Sequence, residues 1–320
     1  MSLVISANRP GGPEVLQAAE ETPGVPGQGE VLIRQTAVGL NFIDTYFRSG
    51  LYAFPKDGPL VPGGEAAGEV LQAGPGTDLK PGDRVAYVSR NGAYRAQRVM
   101  PAARLVRLPA SVSDEVAAAA MLKGLTAQYL LHRSFKVERG QYVLVHAAAG
   151  GVGLILGQWL AALGAVAIGT TSAAKAALAR SHGYAHVIPY EGFVPAVAQI
   201  TGGAKCAVVY DSVGRDTYPG SLQCLRKHGT FVSFGQSSGM IEGFKVTDLT
   251  AGSLFATRPS LFDFIDTRAE LEAAAADLFA QIGSGRIKLE IGQRFPLAEA
   301  AQAHRALEGR RTTGSTVLIP

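Results

Sequence analysis

Val143-Leu144-Val145-His146-Ala147-Ala148-Ala149-Gly150-Gly151-Val152-Gly153 is the run that decides the fold. Its first three residues read as a buried strand, the small residues after them as a tight turn, and Val152 to Leu163 as a helix. A turn framed in this way has the form of a dinucleotide-binding loop. Gly150 lets the backbone approach a pyrophosphate, Gly153 permits close packing of helix on strand, and the helix N-terminus offers free N–H groups with a partial positive charge. Ala148 stands where the usual fingerprint begins with glycine, so the match is a variant.

Around this loop, Gln141 to Ala174 contains no Lys, Arg, Asp or Glu, which at first sight resembles a membrane span. Gly150, Gly151, Gly153, Gly157 and Gly164 interrupt it, and strand-like Val166-Ala167-Ile168 follows the helix, so a buried βαβ unit explains the missing charge better. The pattern continues through Val187–Ile188, Ala207–Tyr210, Thr230–Phe234 and Ser253–Ala256, each separated by helical or turn sequence. Such alternation predicts an α/β fold with a Rossmann-type, doubly wound parallel sheet.

The tip of the second strand selects the cofactor. An NAD site commonly places Asp or Glu there to accept from the ribose 2′-hydroxyl. This chain has Gly169-Thr170-Thr171-Ser172 followed by Lys175, hydroxyls and an ammonium that suit a 2′-phosphate, so NADPH is the expected cofactor. Taken alone, Lys175 would read as ordinary decoration of a helix surface.

Up to about Arg107 the chain is different: short strands divided by Pro23-Gly24-Val25-Pro26-Gly27, Gly74-Pro75-Gly76 and Lys80-Pro81-Gly82-Asp83, the mark of a β-rich domain. The N-terminal apolar run reads as its first strand, too short for a signal peptide. Ser113 to Leu131 is Ala-rich and helical, with Ser113 as its cap and Asp114-Glu115 suiting the helix dipole. Beyond Pro259 come an amphipathic helix over Arg268–Ile282, a strand near Ile287–Ile291, a helix over Leu297–Leu307 and a closing strand Ser315–Ile319. These are too few for a domain of their own, so they are expected to return and complete the N-terminal one.

Composition agrees with two folded domains: 320 residues, 47% hydrophobic and 18% charged, with 39 glycines and 17 prolines. The net charge of +4 is spread without basic clusters, so no nucleic-acid partner is expected. Cys206 and Cys224 are too few for a disulfide framework and sit in apolar surroundings, as small buried hydrophobes of a reducing compartment do.

Several longer segments together carry a resemblance. They are Gly39-Leu40-Asn41-Phe42-Ile43-Asp44-Thr45-Tyr46 with Arg48-Ser49-Gly50-Leu51-Tyr52, then Leu122-Lys123-Gly124-Leu125-Thr126, His146 to Gly153, Tyr210-Asp211-Ser212-Val213-Gly214 and Thr257-Arg258-Pro259-Ser260-Leu261. With them the chain resembles, over essentially its whole length, the bacterial zeta-crystallin-like quinone oxidoreductases of the medium-chain dehydrogenase/reductase superfamily. The resemblance implies a GroES-like β-rich domain over residues 1–122 and 259–320, a Rossmann NADPH-binding domain over 123–258, an acceptor site in the cleft between them, a cytoplasmic setting and a homodimer, joined near edge strand Ser253–Phe255. It implies further that Lys175 and Tyr190 flank the 2′-phosphate and that Gly150, Gly151 and Val152 meet the pyrophosphate. Asn41, Ser212, Phe234 and Arg311 would touch other parts of the cofactor, with Lys123, Thr126, Thr170, Ser172, Gly235, Gln236, Phe255 and Arg258 completing its site. Tyr46 and Tyr52 would face the substrate.

Zinc-dependent members of the superfamily use a Cys in the first of these segments and a His before the Glu of a second. Here the residues are Gly39-Leu40-Asn41 and Gly63-Gly64-Glu65, which offer neither thiolate nor imidazole, so no metal is expected. That narrows the chemistry. Alcohol oxidation needs zinc or a Tyr-Lys pair to stabilise an alkoxide, whereas a quinone is already electrophilic and needs only hydrogen-bond donors such as Asn41, Tyr46 and Tyr52 to orient it. The expected activity is therefore metal-independent reduction of quinones by NADPH. The alternative is reduction of the activated double bond of an alkenal or enone, and a third reading is an NADPH-binding protein without turnover. A serine hydrolase is formally suggested by Gly235-Gln236-Ser237-Ser238-Gly239, but the following Met240-Ile241-Glu242-Gly243 is a poor start for the helix a nucleophile elbow requires.

Overall fold

The computed structural model describes all 320 residues, which form two compact units. Gly124–Asp266 with Ser284–Lys288 make one; Met1–Lys123, Thr267–Gly283 and Leu289–Pro320 make the other.

The first of these holds a six-stranded sheet in the order His186–Ile188, Val166–Thr170, Tyr142–Val145, Cys206–Asp211, Leu225–Ser233 and Phe255–Thr257. Every neighbouring pair is parallel. In chain order this is 3-2-1-4-5-6, the Rossmann arrangement expected, with its reversal between Tyr142–Val145 and Cys206–Asp211. Leu144, Ile168, Val209 and Phe231 fill the core as the unbroken apolar strands require. The uncharged stretch is indeed strand, helix Gly151–Leu163 and strand, and no helix of the protein is long and apolar enough to cross a membrane. That helix lies directly on the turn at His182–Tyr184: a Cβ on Gly157 would fall 2.4 Å from the His182 carbonyl oxygen. Residues 259–266 stay with this unit because the Phe264 ring stacks on Tyr129 at 4.5 Å, Arg133 Nη1 donates to the Phe264 carbonyl at 3.1 Å, and Ile265 is buried.

The β-rich unit is built on a sheet running Ile291–Pro296, Ser315–Ile319, Glu30–Leu40, Glu65–Ala73, Arg84–Val88 and Leu105–Arg107, with Gln97–Pro101 also paired to Glu30–Leu40. A hairpin of Ser2–Ser6 and Gln17–Glu21 lies beside it. The tail returns as expected: Ser315–Ile319 runs antiparallel to Glu30–Leu40, with Val317 opposite Gly39, and Leu318 joins Ile33, Val38, Val70 and Leu105 in the core. Helix Asp114–Tyr129 begins at the predicted cap, where Ser113 Oγ accepts from Val116 N at 3.3 Å. The penultimate strand is displaced from its expected place, spanning Ile291–Pro296 rather than Ile287–Ile291. The earlier stretch alternates apolar and polar residues more strictly, but parallel pairing with Ser315–Ile319 selects the later one.

Candidate active site

In the Rossmann unit, Gly150 caps the helix with φ −81°, and Gly151 and Val152 form its first turn. A Cβ on Gly153 would lie 2.3 Å from the Ala147 carbonyl oxygen and 2.7 Å from that of Ala148. The glycine is thus required by the loop itself, which folds back over the helix start, and not by packing of helix on strand as the sequence suggested. Gly150 meets no such obstruction, with Ala147 O at 3.2 Å.

Three strand tips next to this loop are tied together by a buried polar chain that the sequence reading missed. His146 Nδ1 is 2.8 Å from Thr170 Oγ1, His146 Nε2 is 3.0 Å from Ser221 Oγ, and Ser221 Oγ is 3.1 Å from Asp211 Oδ2. With Ser221 donating to the carboxylate, His146 donates through Nε2 and accepts the Thr170 hydroxyl at Nδ1. Burial depresses the His146 pKa and keeps the ring neutral, against the opposing pull of Asp211. Asp211 also accepts from Val213 N, Gly214 N and Thr217 Oγ1, at 2.8, 2.9 and 2.8 Å, and so shapes the turn that presents Ser212. The one visible signal was a histidine and an aspartate ending otherwise apolar strands.

This network revises one expectation: Thr170 is fully buried and its hydroxyl is engaged by His146, so it braces the loop and does not face a ligand. Ser172 is exposed, Lys175 half-buried on the next turn, and Tyr190 is exposed with its ring parallel to His146 at 6.4 Å. Across the reversal, Ser212 lies against Gly235, where an added Cβ would meet Ser212 O at 2.8 Å. Phe234 N donates to Asp211 O, while Arg258 donates to Gly235 O at 3.2 Å and Gln236 Oε1 at 3.1 Å. Gly235, Gln236 and Arg258 border a cavity of about 330 Å³ with Phe231, Met240 and Phe244. Phe255 is not among them: it starts the edge strand, level with Thr230, and is 60% exposed. Thr126 is buried in helix Asp114–Tyr129. No helix follows Gly239, so the hydrolase reading falls.

In the β-rich unit, Asn41 precedes helix Phe42–Ser49, its N–H donating to Asp44 Oδ2 at 2.9 Å. Its side-chain Nδ2 donates to Glu65 Oε1 at 2.9 Å, Lys123 Nζ donates to the same oxygen at 2.5 Å, and Leu122 N donates to Glu65 Oε2 at 2.6 Å. Asn41, Glu65 and Lys123 are all buried. Tyr46 and Tyr52 meet edge to face at 5.4 Å and remain half-buried, while Arg311 lies exposed after helix Ala300–Glu308.

Behind Asn41 lies a second buried chain. Tyr94 OH donates to Asp44 Oδ2 at 3.1 Å and lies 2.9 Å from His304 Nε2; Arg48 reaches His304 Nδ1 at 2.9 Å and Glu308 Oε1 at 2.6 Å. Burial raises the Asp44 pKa to about 7, opposed by the Asn41 N–H, Tyr94 and Lys123. Burial, then the Arg48 charge, hold His304 down to about 3.

The two positions where the zinc-dependent members carry Cys and His hold the amide of Asn41 and the glycine Gly64, neither a donor for zinc, and no group of three or more His, Cys, Asp or Glu is placed to hold a metal ion. Cys206 and Cys224 are buried in the Rossmann unit, where burial pushes the Cys224 thiol up to about 12.

Residues 27–137 match the alcohol dehydrogenase GroES-like domain, and residues 182–318 a family described as zinc-binding dehydrogenase. A quinone oxidoreductase of Pseudomonas aeruginosa is 51% identical over 316 residues, covering 97% of each chain. The chain belongs to the quinone oxidoreductase family. Within the family, the crystal structure of Escherichia coli quinone oxidoreductase complexed with NADPH superposes with a TM-score of 0.97 at 49% identity, over 99% of this chain and 100% of that one. A 2-haloacrylate reductase of a Burkholderia species is 43% identical over 331 residues, 100% of this chain and 99% of its own.

Proposed function

We propose that the chain is an NADPH-dependent quinone reductase that works without a metal ion. The observation that carries the acceptor class is the full-length likeness to quinone oxidoreductases at about half identity. Exposed Ser172 and half-buried Lys175 at the tip of the second strand support the cofactor, since they bring a hydroxyl and an ammonium and no carboxylate to the place where a 2′-phosphate would lie.

NADPH supplies the hydride when bound. The chain's own part is to hold it and to orient the acceptor: the N–H groups of Gly151 and Val152 for the pyrophosphate, Lys175 and Tyr190 for the 2′-phosphate, and Ser212, Gly235, Gln236 and Arg258 across the strand reversal. We assign Asn41, Tyr46 and Tyr52 to the acceptor. The two tyrosines offer a single aromatic wall with two hydroxyls, suited to a flat ring bearing carbonyls.

Initial rates of NADPH and NADH oxidation by chelator-treated protein, with 1,4-benzoquinone and with an alkenal in parallel, test this reading. Benzoquinone turnover that prefers NADPH and survives chelation is expected. The 2-haloacrylate reductase relative favours one second reading, reduction of an activated carbon-carbon double bond, and faster turnover of the alkenal would put that in place of the first.

Lys175→Glu sharpens the cofactor assignment. Exchanging an attraction for a repulsion at the 2′-phosphate is expected to lower kcat/KM for NADPH about 100-fold, near the ~3 kcal/mol of a strong charge-assisted contact, and to leave NADH little changed. Equal losses with both cofactors would remove Lys175 from this role.

We also propose a homodimer, with a second copy added along edge strand Phe255–Thr257. All three of its residues are exposed, and exposed Met240, Phe244 and Val246 lie in the preceding segment. Phe255→Asp is expected to halve the mass seen by sedimentation at micromolar concentration; an unchanged mass would place the contact elsewhere. The free, buried thiols support a reducing, cytoplasmic setting.

A further inference from the structure

We propose that Lys123 is the proton donor that completes acceptor reduction. The proposal rests on the quinone reductase reading. Four observations lead to it. Lys123 is buried with only 7% of its side chain exposed, and it pairs at 2.5 Å with Glu65, which is fully buried. Glu65 is its single protein partner, so two of the three ammonium hydrogens have no protein acceptor. Glu65 Oε1 is shared with Asn41 Nδ2 and Oε2 is taken by Leu122 N, so the carboxylate is held in place by three donors. Finally, Glu65 ties Lys123 to Asn41 through one shared oxygen, which sets the ammonium beside a residue assigned to the acceptor.

A buried ion pair does little for stability compared with apolar packing, so stability alone gives no reason to keep this one. A cation with spare hydrogens beside a residue assigned to the acceptor has a chemical use. Hydride delivered to one quinone oxygen forms its O–H bond, the ring π electrons shift towards aromaticity, and the opposite carbonyl's π pair moves onto its oxygen, giving a hydroquinone monoanion. One N–H bond of Lys123 then breaks, an O–H bond forms on that oxygen, and the neutral amine, still hydrogen-bonded to Glu65, regains its proton from solvent. Hydride from NADPH and proton from Lys123 together balance the two-electron reduction. Asp44 is a poorer donor, because it is wholly buried and one of its oxygens is already shared by Asn41 N and Tyr94. The charged and titratable groups facing Lys123 are Glu65 and Asp44, with Tyr94, His304 and Arg48 behind Asp44.

The test uses the full chain with NADPH and 1,4-benzoquinone. Lys123→Ala is expected to lower kcat by about 100-fold or more, the usual size of a lost general acid, with the Kd for NADPH by fluorescence titration within about threefold of native. Added primary ammonium salts should restore turnover, the more acidic ones faster at equal occupancy. Lys123→Arg keeps the charge but cannot release its proton, and should remain slow. Because Lys123→Ala strands a buried carboxylate, the double variant Lys123→Met with Glu65→Gln, which removes both charges, should show the same loss in a chain that melts like the native one. Native kcat in either neutral variant, full rescue by Arg, or amine rescue that ignores amine acidity would overturn the proposal. A rise in Kd with kcat unchanged would do so too, leaving Lys123 as a cofactor contact. An inactive native chain would instead overturn the quinone reading, and this proposal with it.

Discussion

Gly153→Ala is expected to abolish tight NADPH binding and to destabilise the Rossmann unit. The added methyl would sit 2.3 Å from one backbone carbonyl oxygen and 2.7 Å from the next, neither of which can swing aside like a side chain. Relief requires the loop at Ala147–Ala148 to lift from the helix start. The Gly153 carbonyl is at the same time fixed by the Tyr184 hydroxyl at 2.6 Å, so the helix cannot retreat freely. Overpacking against yielding side chains costs about 1–3 kcal/mol, and against backbone the cost should reach at least about 3 kcal/mol. Affinity for NADPH should fall 100-fold or more, because the free N–H groups of Gly151 and Val152 move with the loop. Gly150→Ala provides the contrast. Its φ of −81° suits alanine and its nearest obstruction is at 3.2 Å, so it should melt like the native chain and lose affinity only. Fluorescence titration and thermal melting of both variants decide the matter; native-like binding by Gly153→Ala would contradict the assignment of this loop.

Asp44→Asn is expected to gain stability relative to the native chain as the pH rises. Burial lifts Asp44 from an ordinary 3.8 to about 7, so the fold keeps a proton that the unfolded chain has released. Its contribution is whole below about pH 4 and declines as the pH climbs through 7. His304 acts in the opposite sense. Held at about 3 against an ordinary 6.5, it refuses a proton that the unfolded chain accepts, and stability is lost as the pH falls from 6.5 towards 3. Between about 4 and 6.5 the two slopes oppose one another. The amide keeps an oxygen for Asn41 N and Tyr94 while removing a charge whose other oxygen, Oδ1, is buried without a partner. From the size of the shift, the advantage of Asp44→Asn should grow by up to about 4 kcal/mol between pH 4 and 8. Urea unfolding of both chains across that range measures the difference directly, and a constant offset would show that Asp44 does not titrate as described.

The Rossmann order was legible because its strands are buried on both faces and read as unbroken apolar runs between turns. The tail strand was placed four residues early because Ile287-Lys288-Leu289-Glu290 alternates more strictly than the true strand, Ile291–Pro296, which is fixed by its partner in space and not by its own pattern. The zinc-ligand positions could be read residue by residue, yet nothing near them in sequence says that Lys123 reaches Glu65. The same holds for Arg48 and Glu308, which lie at opposite ends of the chain. Buried polar networks escape sequence reading for this reason: each member looks like a surface residue until its partner arrives from far away. His146 and Asp211 stand out as parts of motifs, but their coupling through Ser221 needs the sheet to bring two strands side by side.

Strand Ser315–Ile319 bears on how the protein is made. It lies between Ile291–Pro296 and Glu30–Leu40, in the interior of a sheet most of whose strands precede the Rossmann unit in the chain. The Rossmann unit is nearly continuous in the chain and can fold as it leaves the ribosome, whereas the β-rich unit must wait, with the edge at Val38–Leu40 bare, until Ser315–Ile319 has emerged. During that interval the open edge is where a nascent chain would be caught by a chaperone or by a neighbour of its own kind.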